Sequence, residues 1–134
     1  MDNEQTQEGK RKRKAMRYYW LLDYGHGGVI NGVPQTAGKR SPDWDKGILF
    51  EGVSNRIIGK KVKALLDKAG ITNFEIVTTD LDISLSERVR RANAYPSRKS
   101  IFLSFHSDAF HKEEARGWSA FTSIGNTKSD KVAE

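Results

Sequence analysis

The sequence predicts an α/β fold in which helices flank a mostly parallel, twisted sheet. Short apolar runs, typical of buried strands, alternate along the chain with longer stretches in which apolar residues recur every three or four positions. The resulting order of strand, helix, strand, helix and strand is the one that right-handed crossover units produce in a parallel sheet. In such sheets ligands gather at the carboxyl ends of the strands, so we expect the functional site there.

The first strand is expected to follow a charged arm. Residues 1–15 contain no apolar run and offer little to bury against the entropy of ordering, which predicts a disordered basic arm. The folded domain is then expected to span residues 16–134. Residues 17–23 (RYYWLLD) are mostly aromatic and apolar, and residues 24–28 (YGHGG) follow at once. This is the pattern of a buried strand that ends in a tight glycine turn.

A long loop and an amphipathic helix are expected next. Residues 29–50 hold glycines and prolines without a clear period, which predicts an irregular loop, and long loops in compact domains are usually functional. From Glu51 to Ala69 apolar residues recur at helical spacing, and Gly70 stands where a helix stop is expected. Glu51 therefore lies in the first turn of this helix.

A second strand and a second helix follow in the sequence. Residues 73–79 (NFEIVTT) alternate as a strand does. Ser84 and Glu87 then form the capping-box pattern of a helix start. We expect this helix to cover roughly residues 85–95.

Two further strands and a helix start complete the prediction. Residues 100–106 (SIFLSFH) are apolar at nearly every position, as expected for a strand covered on both faces in the middle of a parallel sheet. Residues 117–124 (GWSAFTSI) predict one more strand, with Trp118 and Phe121 packed on it. Residues 126–134 have the pattern of the cap and first turn of another helix.

The composition limits the chemistry that is possible. The chain has no cysteine, which excludes disulfides, thiolate metal sites and thiol nucleophiles, and leaves His, Asp and Glu as the strong metal ligands. The net charge is +6, and a basic cluster in residues 10–17 carries much of the excess. No stretch approaches the ~20 apolar residues of a membrane span, and the start lacks the apolar run of a signal peptide. We therefore expect no membrane partner and no export signal.

Two histidines and one glutamate are the candidate metal ligands. His26 and His106 fall at or just past the carboxyl ends of predicted strands, and Glu51 opens the helix after the first loop. Two histidines and a carboxylate form a set that holds catalytic zinc, with the fourth position left to water. A single histidine at a strand end is more often a satisfied polar residue, and the helix dipole alone explains a first-turn glutamate. Only the combination points to a metal site.

An ordered series of motifs resembles one enzyme family from about residue 18 to the end. Residues 21–28 (LLDYGHGG) look like the strand and turn of the zinc-dependent N-acetylmuramoyl-L-alanine amidases of the third amidase class, whose first zinc histidine lies between glycines. The family's glutamate ligand precedes a helix and is followed four residues later by asparagine, as Glu51 is by Asn55. Three more segments match in order: the scaffold segment at 85–93 (LSERVRRAN), the second zinc histidine segment at 103–108 (LSFHSD) and a strand opening at 116–118 (RGW).

The resemblance implies a function and a site. It implies a zinc ion held by His26, Glu51 and His106, and hydrolysis of the amide bond between N-acetylmuramic acid and L-alanine in peptidoglycan. The expected partner is therefore peptidoglycan. With no export signal, the protein is expected to stay cytoplasmic until it is released, as a phage-type lysin is, and to act at the bacterial cell wall. Tyr24 and Asp108 depart from the family pattern in ways that look tolerable.

The general base is the missing part of this expected site. The resemblance places the family's catalytic glutamate beyond residue 134, so we expect a domain truncated at its C-terminus that binds zinc but is weak or inactive by itself. Glu113 and Glu114 are less favoured candidates for the base. Asp23 and Asp108 are expected to orient the histidines through hydrogen bonds, although Asp23 equally fits a simple strand end.

Two other functions remain open. A nucleic-acid-binding or scaffold protein could use the basic cluster as a phosphate footprint, but a basic arm is usually a solvated tail and no nucleic-acid-binding fold accompanies it. Nucleic acid is therefore a less favoured partner. A zinc hydrolase that cleaves a different amide would have the same site chemistry, and only its substrate groove would differ.

Overall fold

The structure, a computed structural model, describes residues 18–108 and 116–134. The predicted basic arm and the candidate bases Glu113 and Glu114 lie outside these residues. The elements are β1 (Tyr19–Tyr24), β2 (Val29–Ile30), β3 (Val33–Pro34), α1 (Glu51–Lys68), β4 (Asn73–Glu75), α2 (Leu85–Ala92), β5 (Ser100–Phe105) and α3 (Asp130–Ala133). None of the described helices is both long and apolar enough to cross a bilayer.

The predicted α/β fold is confirmed. In the three-stranded sheet, β1 lies between β4 and β5, and both neighbours run parallel to it. Leu22 pairs with Glu75 on one side and with Leu103 on the other. Because all three strands run in the same direction, their carboxyl ends meet at one edge of the sheet.

The core forms around β1. Leu22, Tyr24 and Val77 are almost fully buried, and partly buried side chains from α1 and β5 pack against them. A Cβ atom at Gly59 of α1 would overlap the Tyr24 ring, so the glycine lets the helix lie directly on the strand. The Tyr24 hydroxyl donates a hydrogen bond of 2.8 Å to the Glu75 carboxylate. Burial, followed by this hydrogen bond, raises the pKa of Tyr24.

The predicted stop of α1 and the predicted start of α2 are found in the structure. Gly70 has a φ of +68° and donates its amide to the Asp67 carbonyl oxygen, as expected for a left-handed helix stop. The Ser84 hydroxyl accepts the Glu87 amide at 3.3 Å, which is the cap that begins α2. This helix is shorter than predicted and ends at Ala92, four residues before Pro96. Proline disfavours helical backbone in the residue before it.

Two predictions about strands were wrong. The segment 117–124 is not a strand, and Trp118 and Phe121 are each 86% exposed. β5 is not in the middle of the described sheet, since β1 is, and Phe102 of β5 is half exposed. An apolar pattern shows that a segment can be covered, but a strand also needs a hydrogen-bonding neighbour. Within 18–108 and 116–134, no segment pairs with the outer edge of β5.

The loop over residues 29–50 is largely irregular, as predicted. It begins with a small antiparallel hairpin of β2 and β3, whose two turn residues, Asn31 and Gly32, have φ angles of +50° and +78°. Positive φ at both positions is the geometry of the tight hairpin turn that asparagine and glycine favour. The hairpin follows the glycine turn after β1, and the rest of the loop connects it to Glu51.

An acid-sensitive contribution to stability is expected from α2. Hydrogen bonds from Arg90 and then Arg91 lower the pKa of Glu87 from 4.5 to about 2. Because the folded-state pKa lies below the unfolded value, this contribution is fully present above pH 4.5 and is lost as the pH falls through about 2. We expect Glu87→Gln to lower the thermal midpoint slightly near neutral pH, since the pair is exposed, and to match the wild type near pH 2. Thermal unfolding of both proteins between neutral pH and pH 2 tests this prediction. If the thermal midpoints of the wild type and Glu87→Gln fall by the same amount, the prediction is contradicted.

Candidate metal centre

The three predicted ligands come together at the carboxyl edge of the sheet. Their candidate ligand atoms all lie within 4.8 Å of one another. Oε1 of Glu51 lies 3.3 Å from Nε2 of His26 and 3.2 Å from Nδ1 of His106. The two imidazole rings are 5.1 Å apart between centroids and nearly perpendicular, at 88°. One carboxylate oxygen therefore faces both histidines.

His26 occupies a strained position in the turn after β1. Its φ is +62°, in the left-handed region, which costs a residue with a side chain about 1–2 kcal/mol. The glycine before it is required by space, because a Cβ atom at Gly25 would overlap the His106 ring. Gly27 donates its amide to the Thr36 hydroxyl at 2.8 Å. The glycines that flank His26 thus let the turn approach its neighbours closely.

Glu51 is placed by the start of α1. A Cβ atom at Gly52 would overlap the Gly27 carbonyl oxygen, so the first turn of the helix is pressed against the histidine turn. The Ser107 amide donates a hydrogen bond of 3.1 Å to Oε1 of Glu51. This contact ties the helix start to the segment that follows β5.

A fully buried asparagine joins the two histidine segments. Nδ2 of Asn55 donates to the Gly25 carbonyl oxygen at 3.1 Å, and its Oδ1 accepts the Ser107 hydroxyl at 3.2 Å. Asn55 lies one helical turn after Glu51 on α1. The asparagine of the sequence motif thus holds the glutamate's helix against both histidine segments.

The electrostatics favour the protonation states that bind metals. Burial lowers the pKa of His26, against the opposing influence of the Glu51 charge, so the neutral imidazole is favoured near neutral pH. Burial tends to raise the pKa of Glu51, but the Ser107 amide, His26 and His106 together lower it. A neutral imidazole and an ionised carboxylate are the forms that coordinate a metal ion.

Two of the three separations between candidate ligand atoms match those of a tetrahedral divalent ion. Metal bonds of ~2.0–2.1 Å to nitrogen and oxygen place neighbouring ligand atoms of a tetrahedron ~3.4 Å apart. The two histidine-to-glutamate distances, 3.3 and 3.2 Å, are close to this spacing. No fourth histidine, aspartate or glutamate of the described residues joins the cluster. Three protein ligands with an open position are the arrangement of catalytic rather than structural zinc sites.

Of the two alternatives left open for Asp23, a hydrogen bond to a histidine is not found, and the residue lies near the end of β1. Its Oδ1 accepts Nη1 of Arg88 at 2.6 Å, and its Oδ2 accepts the Ser104 hydroxyl at 2.6 Å. Asp23 lies within β1, where a guanidinium from α2 reaches its buried carboxylate. Asp108 is exposed, and within the described part of the chain no hydrogen bond joins it to either histidine.

Sequence reasoning missed two buried arginines beside the site. Arg56 of α1 and Arg88 of α2 both donate hydrogen bonds to backbone carbonyl oxygens of the turn that carries His26. Arg88 belongs to the segment 85–93 that resembles the family's scaffold segment, and this resemblance was its sequence signal. Nothing in the sequence marked Arg56.

Comparisons with known proteins agree with the geometry. A family model described as N-acetylmuramoyl-L-alanine amidase matches residues 21–134. The N-acetylmuramoyl-L-alanine amidase AmiA of Salmonella typhimurium is 30% identical over 125 residues, which is 93% of this chain and 39% of that protein. The AmiC amidases of Escherichia coli O6:H1 and Neisseria meningitidis serogroup B are 31% and 30% identical, over 75% and 92% of this chain. The chain spans 22% to 39% of the length of these relatives.

Proposed function

The chain belongs to the N-acetylmuramoyl-L-alanine amidase family, whose model matches residues 21–134, and from this premise we propose that it is a zinc-dependent hydrolase of peptidoglycan. The bond cleaved is the amide that joins N-acetylmuramic acid to L-alanine, and the activity belongs at the bacterial cell wall. The observation that supports this proposal most directly is the convergence of His26, Glu51 and His106, with all ligand atoms within 4.8 Å.

Each residue of the cluster has a defined part in the proposed reaction. When bound, a zinc ion supplies polarisation of the scissile carbonyl and lowers the pKa of water from ~15.7 towards ~7. His26 and His106 would present imidazole nitrogens to the ion, and Glu51 would present the single negative charge. The Ser107 amide and Asn55 keep the carboxylate and both histidine segments in place.

The general base belongs to a residue outside this cluster. A general base is typically worth ~10²- to 10⁴-fold in rate, and the three residues of the cluster are used as metal ligands. Hydrolysis of a different amide would use the same residues. The assay must therefore compare cleavage of the N-acetylmuramoyl-L-alanine bond with cleavage of an unrelated amide.

The decisive experiment is to measure the zinc content of the purified chain and its action on peptidoglycan. We expect one tightly held zinc ion per chain, removed by a chelator and restored by added zinc. Release of free N-acetylmuramoyl and L-alanyl ends from peptidoglycan should be zinc-dependent, with an unrelated peptide amide as the control substrate. A chain that holds no zinc at saturating metal would overturn the proposal.

A further inference from the structure

Backbone carbonyl oxygens of the turn that carries His26 are held by two arginines from different helices. Nη1 of Arg88 donates to the Tyr24 carbonyl oxygen at 2.7 Å, and Nη2 of Arg88 lies 3.4 Å from the His26 carbonyl oxygen. Nη1 of Arg56 donates to that same His26 oxygen at 2.9 Å. The peptide group of the first ligand is therefore fixed from both α1 and α2.

Arg88 has little freedom to do anything else. Its side chain is 5% exposed, and its other polar contacts are Nη1 to Asp23 at 2.6 Å, Nε to the Ile83 carbonyl oxygen at 2.7 Å and Nη2 to the Asp82 carboxylate at 3.7 Å. A guanidinium presents its donors in a rigid, planar fork, so these acceptors together allow only one orientation. The Asp23 carboxylate in turn accepts the Ser104 hydroxyl of β5. Arg88 thus joins α2, β1 and the histidine turn.

The backbone conformation of His26 decides where its imidazole points. That conformation has a φ of +62°, which a residue with a side chain adopts only when its surroundings impose it. α2 helps to impose this conformation through the contacts of Arg88 with the Tyr24 and His26 carbonyl oxygens. The helix itself supplies none of the three candidate ligands.

We propose that Arg88 is a positioning residue for the metal-binding turn, acting through the carbonyl oxygens of Tyr24 and His26 and supported by Arg56. This inference rests on the proposed zinc site and adds to it a residue of α2 that touches neither metal nor substrate. Its consequence is that zinc affinity depends on the shape of the Arg88 side chain as well as on its charge.

The sharpest test is Arg88→Lys, which keeps a positive charge for Asp23 and removes the fork. We expect zinc to bind about 10- to 100-fold more weakly, the effect typical of losing a partner that orients a metal ligand. Arg90→Lys makes the same chemical change on the same helix, where the arginine is 71% exposed and pairs with Glu87, and it should bind zinc as the wild type does.

Two measurements separate the possible outcomes. The zinc dissociation constant is measured by competition with a chromophoric chelator, and the thermal midpoint is measured on the metal-free chain. A lower thermal midpoint with unchanged zinc affinity would make Arg88 merely structural and overturn the inference. If Arg88→Lys does not fold, Arg56→Lys serves as the second variant, because it removes a donor to the same His26 carbonyl oxygen. Unchanged zinc affinity in Arg56→Lys would also overturn the inference. A wild-type chain without zinc would instead refute the proposed function, and this inference with it.

Discussion

Glu51→Gln is expected to weaken zinc binding more than about 100-fold. Loss of a residue that only orients a metal ligand typically weakens binding about 10- to 100-fold, and loss of a ligand itself should cost more. The substitution keeps the size of the side chain and an oxygen that can accept the Ser107 amide, whose distance to Oε1 is 3.1 Å. It removes the negative charge that lies between His26 and His106. Since a neutral amide is a poor ligand for zinc, this variant separates coordination by the carboxylate from its structural hydrogen bond.

Glu75→Gln is the matched control for this measurement. Glu75 is a hydrogen-bonded carboxylate on β4, where it accepts the Tyr24 hydroxyl at 2.8 Å, and it is not part of the ligand cluster. Both variants are titrated with zinc against a chelator of known affinity, and peptidoglycan release is followed on the same samples. Equal zinc affinity in Glu51→Gln and Glu75→Gln would show that the Glu51 carboxylate is not a ligand.

Gly52→Ala is expected to have the largest effect on folding. Alanine normally stabilises a helix by about 1 kcal/mol relative to glycine. Here its Cβ atom would overlap the Gly27 carbonyl oxygen, and the obstacle is backbone that cannot rotate away. We expect a loss at or above the upper end of the about 1–3 kcal/mol typical of overpacking. Because the helix start must move back, Glu51 moves away from the histidines and zinc affinity falls as well.

Ser54→Ala provides the control on the same helix. It introduces alanine two residues later, where the side chain is only half-buried, and it should leave stability close to that of the wild type. Thermal and denaturant unfolding of both metal-free variants give the comparison. A Gly52→Ala chain as stable as Ser54→Ala would mean that α1 does not press against the histidine turn as described.

The ligand cluster was predictable because its signals are local. A strand that ends in glycines placed His26, a helix start placed Glu51, and a second strand end placed His106. Parallel strands bring their carboxyl ends to one edge, so three local assignments were enough to predict one cluster. The structure brings all three side chains within 4.8 Å, and their binding of zinc stays a prediction to be measured.

The role of the arginines was not predictable in the same way. Arg88, Arg90 and Arg91 lie close together on α2, yet Arg88 is buried and Arg90 is exposed. Which of them faces the histidine turn depends on the rotation of the helix about its axis, and Arg88 is the one whose guanidinium reaches Asp23 and the Tyr24 carbonyl oxygen. The partner of Asp23 was not predictable for the same reason. Its carboxylate accepts a hydrogen bond from the Arg88 guanidinium and not from a histidine.

By itself, the sequence determined the fold class, the family, the two helices near the site and the three candidate ligands. Each of these follows from periodicity, capping residues and motif order along short stretches of chain. Only the tertiary structure decided that β1 is the central strand, that residues 117–124 form no strand, and that two arginines hold the turn carrying His26. These features depend on which distant segments meet, and neighbouring residues do not encode that choice locally.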